Sequence, residues 1–215
     1  PLVRVIHVSG TPGSGKTTLG KDISNVNPED ICVFDTDDLD NHNWVEIEKI
    51  IAEKRASVGP TPELDAAFAR TWSVAMHDGL QDVANQASMA KCKVLVITGV
   101  LTHWGLGGPG GDTNVITLAD DRHITRLYID VAIDVVLQRY YWRFASVDTT
   151  NPLWERLAQG KAYIPDSKRM ITLVQMNRDE HHAAGYLVVD PEDARSRILD
   201  ICSLWLTTSR MRRTG

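Results

Sequence analysis

The chain predicts an α/β fold: a three-layer sandwich in which a five-stranded parallel sheet is covered by helices on both faces. Three observations lead there. First, the β-branched run Val3-Arg4-Val5-Ile6-His7-Val8 leads into a glycine-rich turn and then a helix-compatible stretch from Thr18 to Ser24. Second, four more apolar runs of strand length follow: Ile31-Cys32-Val33-Phe34, Lys93-Val94-Leu95-Val96-Ile97, Ile124-Thr125-Arg126-Leu127-Tyr128-Ile129 and Tyr186-Leu187-Val188-Val189. Their mostly unbroken apolar character suits parallel strands buried on both faces. Third, helical or polar sequence separates them, as parallel connections require. The 215 residues suffice for one sizeable core, and no Pro/Gly/Ser linker or charge block divides them, so residues 1–215 are read as a single domain.

The longest interval, about residues 39–91, reads as a helical insertion between the second and third strands. Helical patterns run from Trp44 to Ala56 and from Glu63 to Ser88, broken by Gly59-Pro60-Thr61-Pro62. Trp72, Met76 and Leu80 recur at four-residue steps and are expected in the core. In such a sheet, ligands sit at the carboxyl ends of the strands.

Composition narrows the function. A formal net charge of −5 argues against a general nucleic-acid surface. Arg210, Arg212 and Arg213 read as a frayed, solvated tail. Cys32, Cys92 and Cys202 are odd in number and far apart, so neither a disulfide framework nor a zinc site is expected, and Cys32 and Cys92 are read as small hydrophobes. A reducing, cytoplasmic compartment follows from that reading. No apolar run approaches membrane-spanning length, which points to a soluble protein without a membrane partner. His181-His182 lie in a polar stretch and are not expected to hold a metal. The expected assembly is a monomer or a homodimer.

The chemistry concentrates in the turn after the first strand. Gly10, Thr11, Pro12, Gly13, Ser14, Gly15, Lys16 and Thr17 match the spacing G-x-x-x-x-G-K-[ST], with Thr18 next. Glycines let the backbone turn with positive φ and aim its N–H groups at an anion. The helix beginning near Gly15 adds its positive end. Lys16 is then placed to reach the β- and γ-phosphates of a nucleotide, and the Thr17 hydroxyl to sit on Mg²⁺.

The second strand ends in Asp35-Thr36-Asp37-Asp38, with Asp35 and Asp37 on one side by alternation. One carboxylate there can serve Mg²⁺ and another can accept a proton from a hydroxyl. The alternative is a polar turn with an Asp helix cap. The third strand ends in Ile97-Thr98-Gly99, without an acid, which favours the metal-serving role for the second strand. After the fourth strand, Arg139 and Arg143 stand four apart on one helix face, suited to neutralising transferred charge. The polar segment about 144–165 is a candidate lid that excludes water.

Taken together, Gly10-Thr-Pro-Gly-Ser-Gly-Lys-Thr-Thr, five parallel strands, the insertion and the two-arginine helix resemble the nucleoside monophosphate kinase-like P-loop kinases. Phe34-Asp35-Thr36-Asp37 resembles the acid pair of shikimate kinases, which implies Asp35 for the metal and Asp37 for the acceptor hydroxyl. Arg139 and Arg143 resemble the lid-entry arginines of adenylate kinases, implying adenine stacking and phosphate contact. Val189-Asp190-Pro191-Glu192 resembles the adenine-side loop, so Asp190 and Pro191 are expected beside the base. The chain departs from adenylate kinases by lacking Asp-Gly-Phe-Pro-Arg after strand three. From shikimate kinases it departs by spreading Gly105, Gly107, Gly108, Gly110 and Gly111 through a longer loop. The resulting expectation is an ATP- and Mg²⁺-dependent kinase acting on a small-molecule hydroxyl. The alternatives are a nucleoside or nucleoside monophosphate kinase, or a nucleotide-dependent switch with a protein partner.

Overall fold

The computed structural model describes residues 3–11, 13–36, 53–54, 56–59, 61–99, 124–145 and 167–211. Five strands are β1 (Arg4–Gly10), β2 (Ile31–Asp35), β3 (Val94–Thr98), β4 (Ile124–Ile129) and β5 (Leu187–Val189). The helices are α1 (Lys16–Ser24), α2 (Pro62–Met89), α3 (Ile133–Ala145), α4 (Ser167–Ala183) and α5 (Ala194–Met211). The strands form one parallel sheet in the order β2-β3-β1-β4-β5.

Alternation along β1 divides the core. Ile6 and Val8 face one side, where Val94, Val96, Leu127 and Ile129 join them under Ile23 of α1 and Ile198 and Cys202 of α5. Val5 faces the other, where Leu95 and Ile97 meet Leu80 and Ala87 of α2. Continuous apolar strands therefore pack helices on both faces, as the sequence predicts. Trp205 and Leu206 pack against the first of these clusters. Leu80 is fully buried, whereas the side chains of Trp72 and Met76 lie outside the described residues.

Local chemistry sets the element ends. In α2, Thr61 is the N-cap, its hydroxyl accepting from the Leu64 N–H, and Pro62 stands where no donor is needed. At the edge of the sheet, β5 departs from the buried strand expected of it. Leu187 and Val188, on a three-residue strand at the sheet edge, are 54% and 47% exposed.

Further expectations need correction. His181 and His182, expected in a polar stretch, close a helix that spans Ser167–Ala183, and α5 remains helical through Met211, past the start of the expected frayed tail. Cys32 and Cys92 are joined as a disulfide with Cα atoms 6.0 Å apart, rather than packing as free thiols. The pairing arises because β2 and β3 are adjacent and Cys92 lies two residues before β3, a proximity invisible at 60 residues of separation. The reducing compartment inferred from unpaired thiols loses its basis. Cys202 is free and buried.

Candidate functional site

The central strand β1 delivers its carboxyl end directly into the glycine loop, and the loop delivers the chain into α1. Gly13 and Gly15 hold φ of 84° and 94°, a left-handed backbone that glycine adopts without the penalty a Cβ brings. Gly15 is the N-cap of α1 and carries no side-chain cap, so the first-turn N–H groups stand open to an anion. The Lys16 ammonium lies back over the loop, donating to the Gly10 carbonyl at 2.8 Å, the Thr11 carbonyl at 2.9 Å and Ser14 Oγ at 3.3 Å. Ser14 and Thr11 are buried, and Thr11 Oγ1 finds no hydrogen-bond partner. Thr17 and Thr18 are exposed on the first turn of α1, at the loop's mouth.

Register places the acid strand on the same rim. Asp35 and Val8 both align with Thr98, one from each side of β3, so their backbones stand about two strand spacings, ~10 Å, apart. A carboxylate there extends from the same sheet end as the loop, and its Oδ2 is shut off from solvent. From α3, Arg139 reaches the loop and donates through Nη1 to the Gly13 carbonyl at 2.9 Å. Asp190 and Pro191 follow β5 at the carboxyl end of the sheet, in an exposed turn whose Asp190 carbonyl accepts from the N–H groups of Asp193 and Ala194 at the start of α5. The structure thus gathers Gly10, Thr11, Gly13, Ser14, Gly15, Lys16, Thr17, Thr18 and Arg139 at one loop, with Asp35 on its rim. Asp37, Pro12, the side chain of Arg143, the 105–111 glycines and nearly all of the 144–165 segment lie outside the described residues.

Beneath the loop lies a buried polar network that the sequence reading missed. His7 is fixed from both ring nitrogens: Nε2–H donates to the Gly99 carbonyl at 3.0 Å, and Nδ1 accepts from the Tyr186 hydroxyl. His181 donates from Nδ1 to the Asn177 carbonyl at 2.6 Å and accepts at Nε2 from Ser9 Oγ, also at 2.6 Å. Tyr128 donates to Asn177 Oδ1 at 3.1 Å, and its ring tilts against that of His181. Burial holds both histidines neutral. The His7 pKa is pushed down to about 3 by desolvation, with the charges of Arg126 and Lys16 adding to it. That of His181 is pushed down to about 4, chiefly by desolvation and further by Lys16. Alongside, the Arg178 guanidinium pairs with Asp130, the residue after β4. The available signal was helical spacing: Val174, Asn177 and His181 recur at three and four residues and are all buried.

A parallel sheet with β1 at its centre, its carboxyl end wrapped into a lysine-bearing glycine loop that caps a helix, decides the architecture. The protein has a P-loop α/β fold. No family model and no curated protein sequence matches the chain. Among solved structures, it is similar to shikimate kinase from Aquifex aeolicus at 19% identity, covering 96% of this chain and 98% of that one, with a TM-score of 0.45. A gluconokinase from Sinorhizobium meliloti matches at 14% identity, covering 99% and 97%, with a TM-score of 0.46. Shikimate kinase from Acinetobacter baumannii, solved with shikimate, matches at 17% identity, covering 97% and 94%, with a TM-score of 0.41. No helix among the described residues is long and apolar enough to cross a membrane, and no cluster of metal-ligating side chains occurs among them.

Proposed function

We propose that this chain is an ATP- and Mg²⁺-dependent phosphotransferase that moves the γ-phosphoryl group to a hydroxyl of a small molecule. The observation that supports this best is the loop itself, in which open N–H groups, positive-φ glycines and one ammonium converge where a polyphosphate fits. Lys16, now on the loop's own carbonyls, is the group that turns to the β- and γ-phosphates. The set fits a magnesium nucleotide: Thr17 stands at the loop mouth, Asp35 is an oxygen donor at the rim, and both are hard ligands. Bound Mg²⁺ supplies charge neutralisation between the phosphates and fixes their orientation.

In this reading Gly10, Thr11, Gly13, Ser14, Gly15 and Thr18 shape the donor site, while Asp190 and Pro191 flank the base. Asp37 takes the acceptor's proton as its oxygen attacks phosphorus and the bond to the β-phosphate oxygen breaks. Arg139 and Arg143 hold the charge that develops. Arg139 is anchored to Gly13, so its guanidinium already stands at the loop. The test is a panel of hydroxylated metabolites, nucleosides and nucleoside monophosphates incubated with ATP, Mg²⁺ and protein. ADP release together with one new phosphorylated compound, identified by mass, supports the proposal. ADP release without such a compound identifies a hydrolase.

A further inference from the structure

At the end of β3 the chain passes through a point held from three directions. The Gly99 N–H donates to the Val8 carbonyl of β1 at 3.1 Å. Its carbonyl accepts from His7 Nε2, a ring whose other nitrogen is secured by Tyr186. The third side is steric. A Cβ placed on Gly99 would lie 1.8 Å from Thr36 Oγ1, 2.8 Å from Thr36 Cβ and 3.0 Å from Thr36 Cγ2. Turning the threonine about χ1 moves Oγ1 away but leaves Cβ where it is. The backbone at 99 also has φ of 134°, a region that side-chain-bearing residues rarely adopt. Thr36 is 9% exposed and directly follows Asp35, so whatever displaces Thr36 displaces the acid-bearing end of β2.

We infer that Gly99 and Thr36 form a joint that sets the depth of the acid segment against the phosphate loop, making both positioning residues. This inference rests on the phosphotransferase reading above. β1 and β3 are locked together at the rim through Gly99, and Thr36 seats into the notch left by the missing side chain. The carboxylate of Asp35, the residue before Thr36, inherits its position from that seat, within the tolerance of about 0.5 Å that a preorganised site needs. A displacement of the size a methyl group forces at 1.8 Å exceeds this tolerance.

The experiment is a double-mutant cycle of Gly99→Ala and Thr36→Gly, read by melting temperature, by binding of a fluorescent ATP analogue, and by the Mg²⁺ dependence of ATP turnover. Gly99→Ala is expected to lower the melting temperature and to cut turnover by ~10- to 100-fold, in the range seen for ~1 Å misplacement. ATP-analogue affinity is expected to stay within about threefold, because the loop itself is untouched. Combining it with Thr36→Gly opens space for the methyl group, so the double variant is expected to recover melting temperature and turnover relative to Gly99→Ala. Additive losses in melting temperature would overturn the joint. A rescued melting temperature with turnover and Mg²⁺ dependence unchanged across the cycle would overturn its positioning role alone. Wild-type protein that fails to bind the ATP analogue overturns the proposed function and the positioning role with it, while the melting-temperature cycle still reports whether the contact exists.

Discussion

Acidification to pH 5 is expected to destabilise this protein through two buried histidines. His7 and His181 are neutral and buried, with pKa values pushed down from 6.5 to about 3 and about 4. In the unfolded chain both regain ordinary values near 6.5. Below that value the unfolded state binds protons that the folded state refuses, so stability is fully present above pH 6.5 and falls with the pH. Between pH 6 and pH 4 the two sites together give a slope of about 2–3 kcal/mol per pH unit. By pH 5 the accumulated loss is about 4 kcal/mol, a large fraction of the 5–15 kcal/mol typical of a folded domain. From pH 4 to pH 3 only His7 continues to contribute. Urea midpoints measured at half-unit steps from pH 7.5 to pH 5 supply the assay, and His181→Gln is expected to remove about half of the slope. Midpoints that stay level across this window, or a ring C–H resonance of either residue titrating near pH 6.5, would refute the reasoning.

Other consequences follow from the same geometry. Lys16→Ala removes the only ammonium on the loop and is expected to lower kcat/KM for ATP turnover by at least ~10²-fold, as loss of one charge-stabilising donor does elsewhere. Asp37→Asn is expected to keep ATP binding, measured by calorimetry, while losing turnover; full turnover removes Asp37 as the base. Thiol titration of the urea-unfolded protein is expected to find one reactive cysteine, Cys202, without reductant and three with it. Cys92→Ser opens a 60-residue loop and is expected to cost about 4 kcal/mol by the chain-entropy relation, read as a lower urea midpoint.

Sequence made legible what is local. The run Ile124–Ile129 is predicted as a strand and found as one with the same ends, because six consecutive residues decide it. The phosphate loop is legible for the same reason: its chemistry is carried by spacing within eight residues. Where the sequence reading failed, the deciding partner was distant. No local pattern brings Cys32 beside Cys92, or His7 beside Tyr186, 179 residues away. Helix α4 escaped because hydrophobic periodicity recognises apolar stripes, whereas the stripe it buries contains Asn177 and His181. The acid strand was legible as a motif, but its separation from the loop by one strand was not, since sheet order is a tertiary fact.

The face of the sheet beneath α2 changes character along its length, and that change has a mechanical reason. Near the amino ends of the strands, Val5, Leu95 and Ile124 pack against α2 through contacts that depend on area and tolerate small slides. Near the carboxyl ends, His7, Ser9 and Tyr128 replace them, and each is bonded to a named atom. A buried hydrogen bond adds only about 1 kcal/mol net, yet leaving one partner unsatisfied costs about 1–3 kcal/mol. The network is therefore a weak source of stability and a strong determinant of position. It holds Ser9, on β1 just before the loop, and Gly99, just past β3 and seated against Thr36, at fixed places. A glycine loop is by nature conformationally permissive, so rigidity has to be imposed from below, and directional bonds impose it where apolar packing cannot.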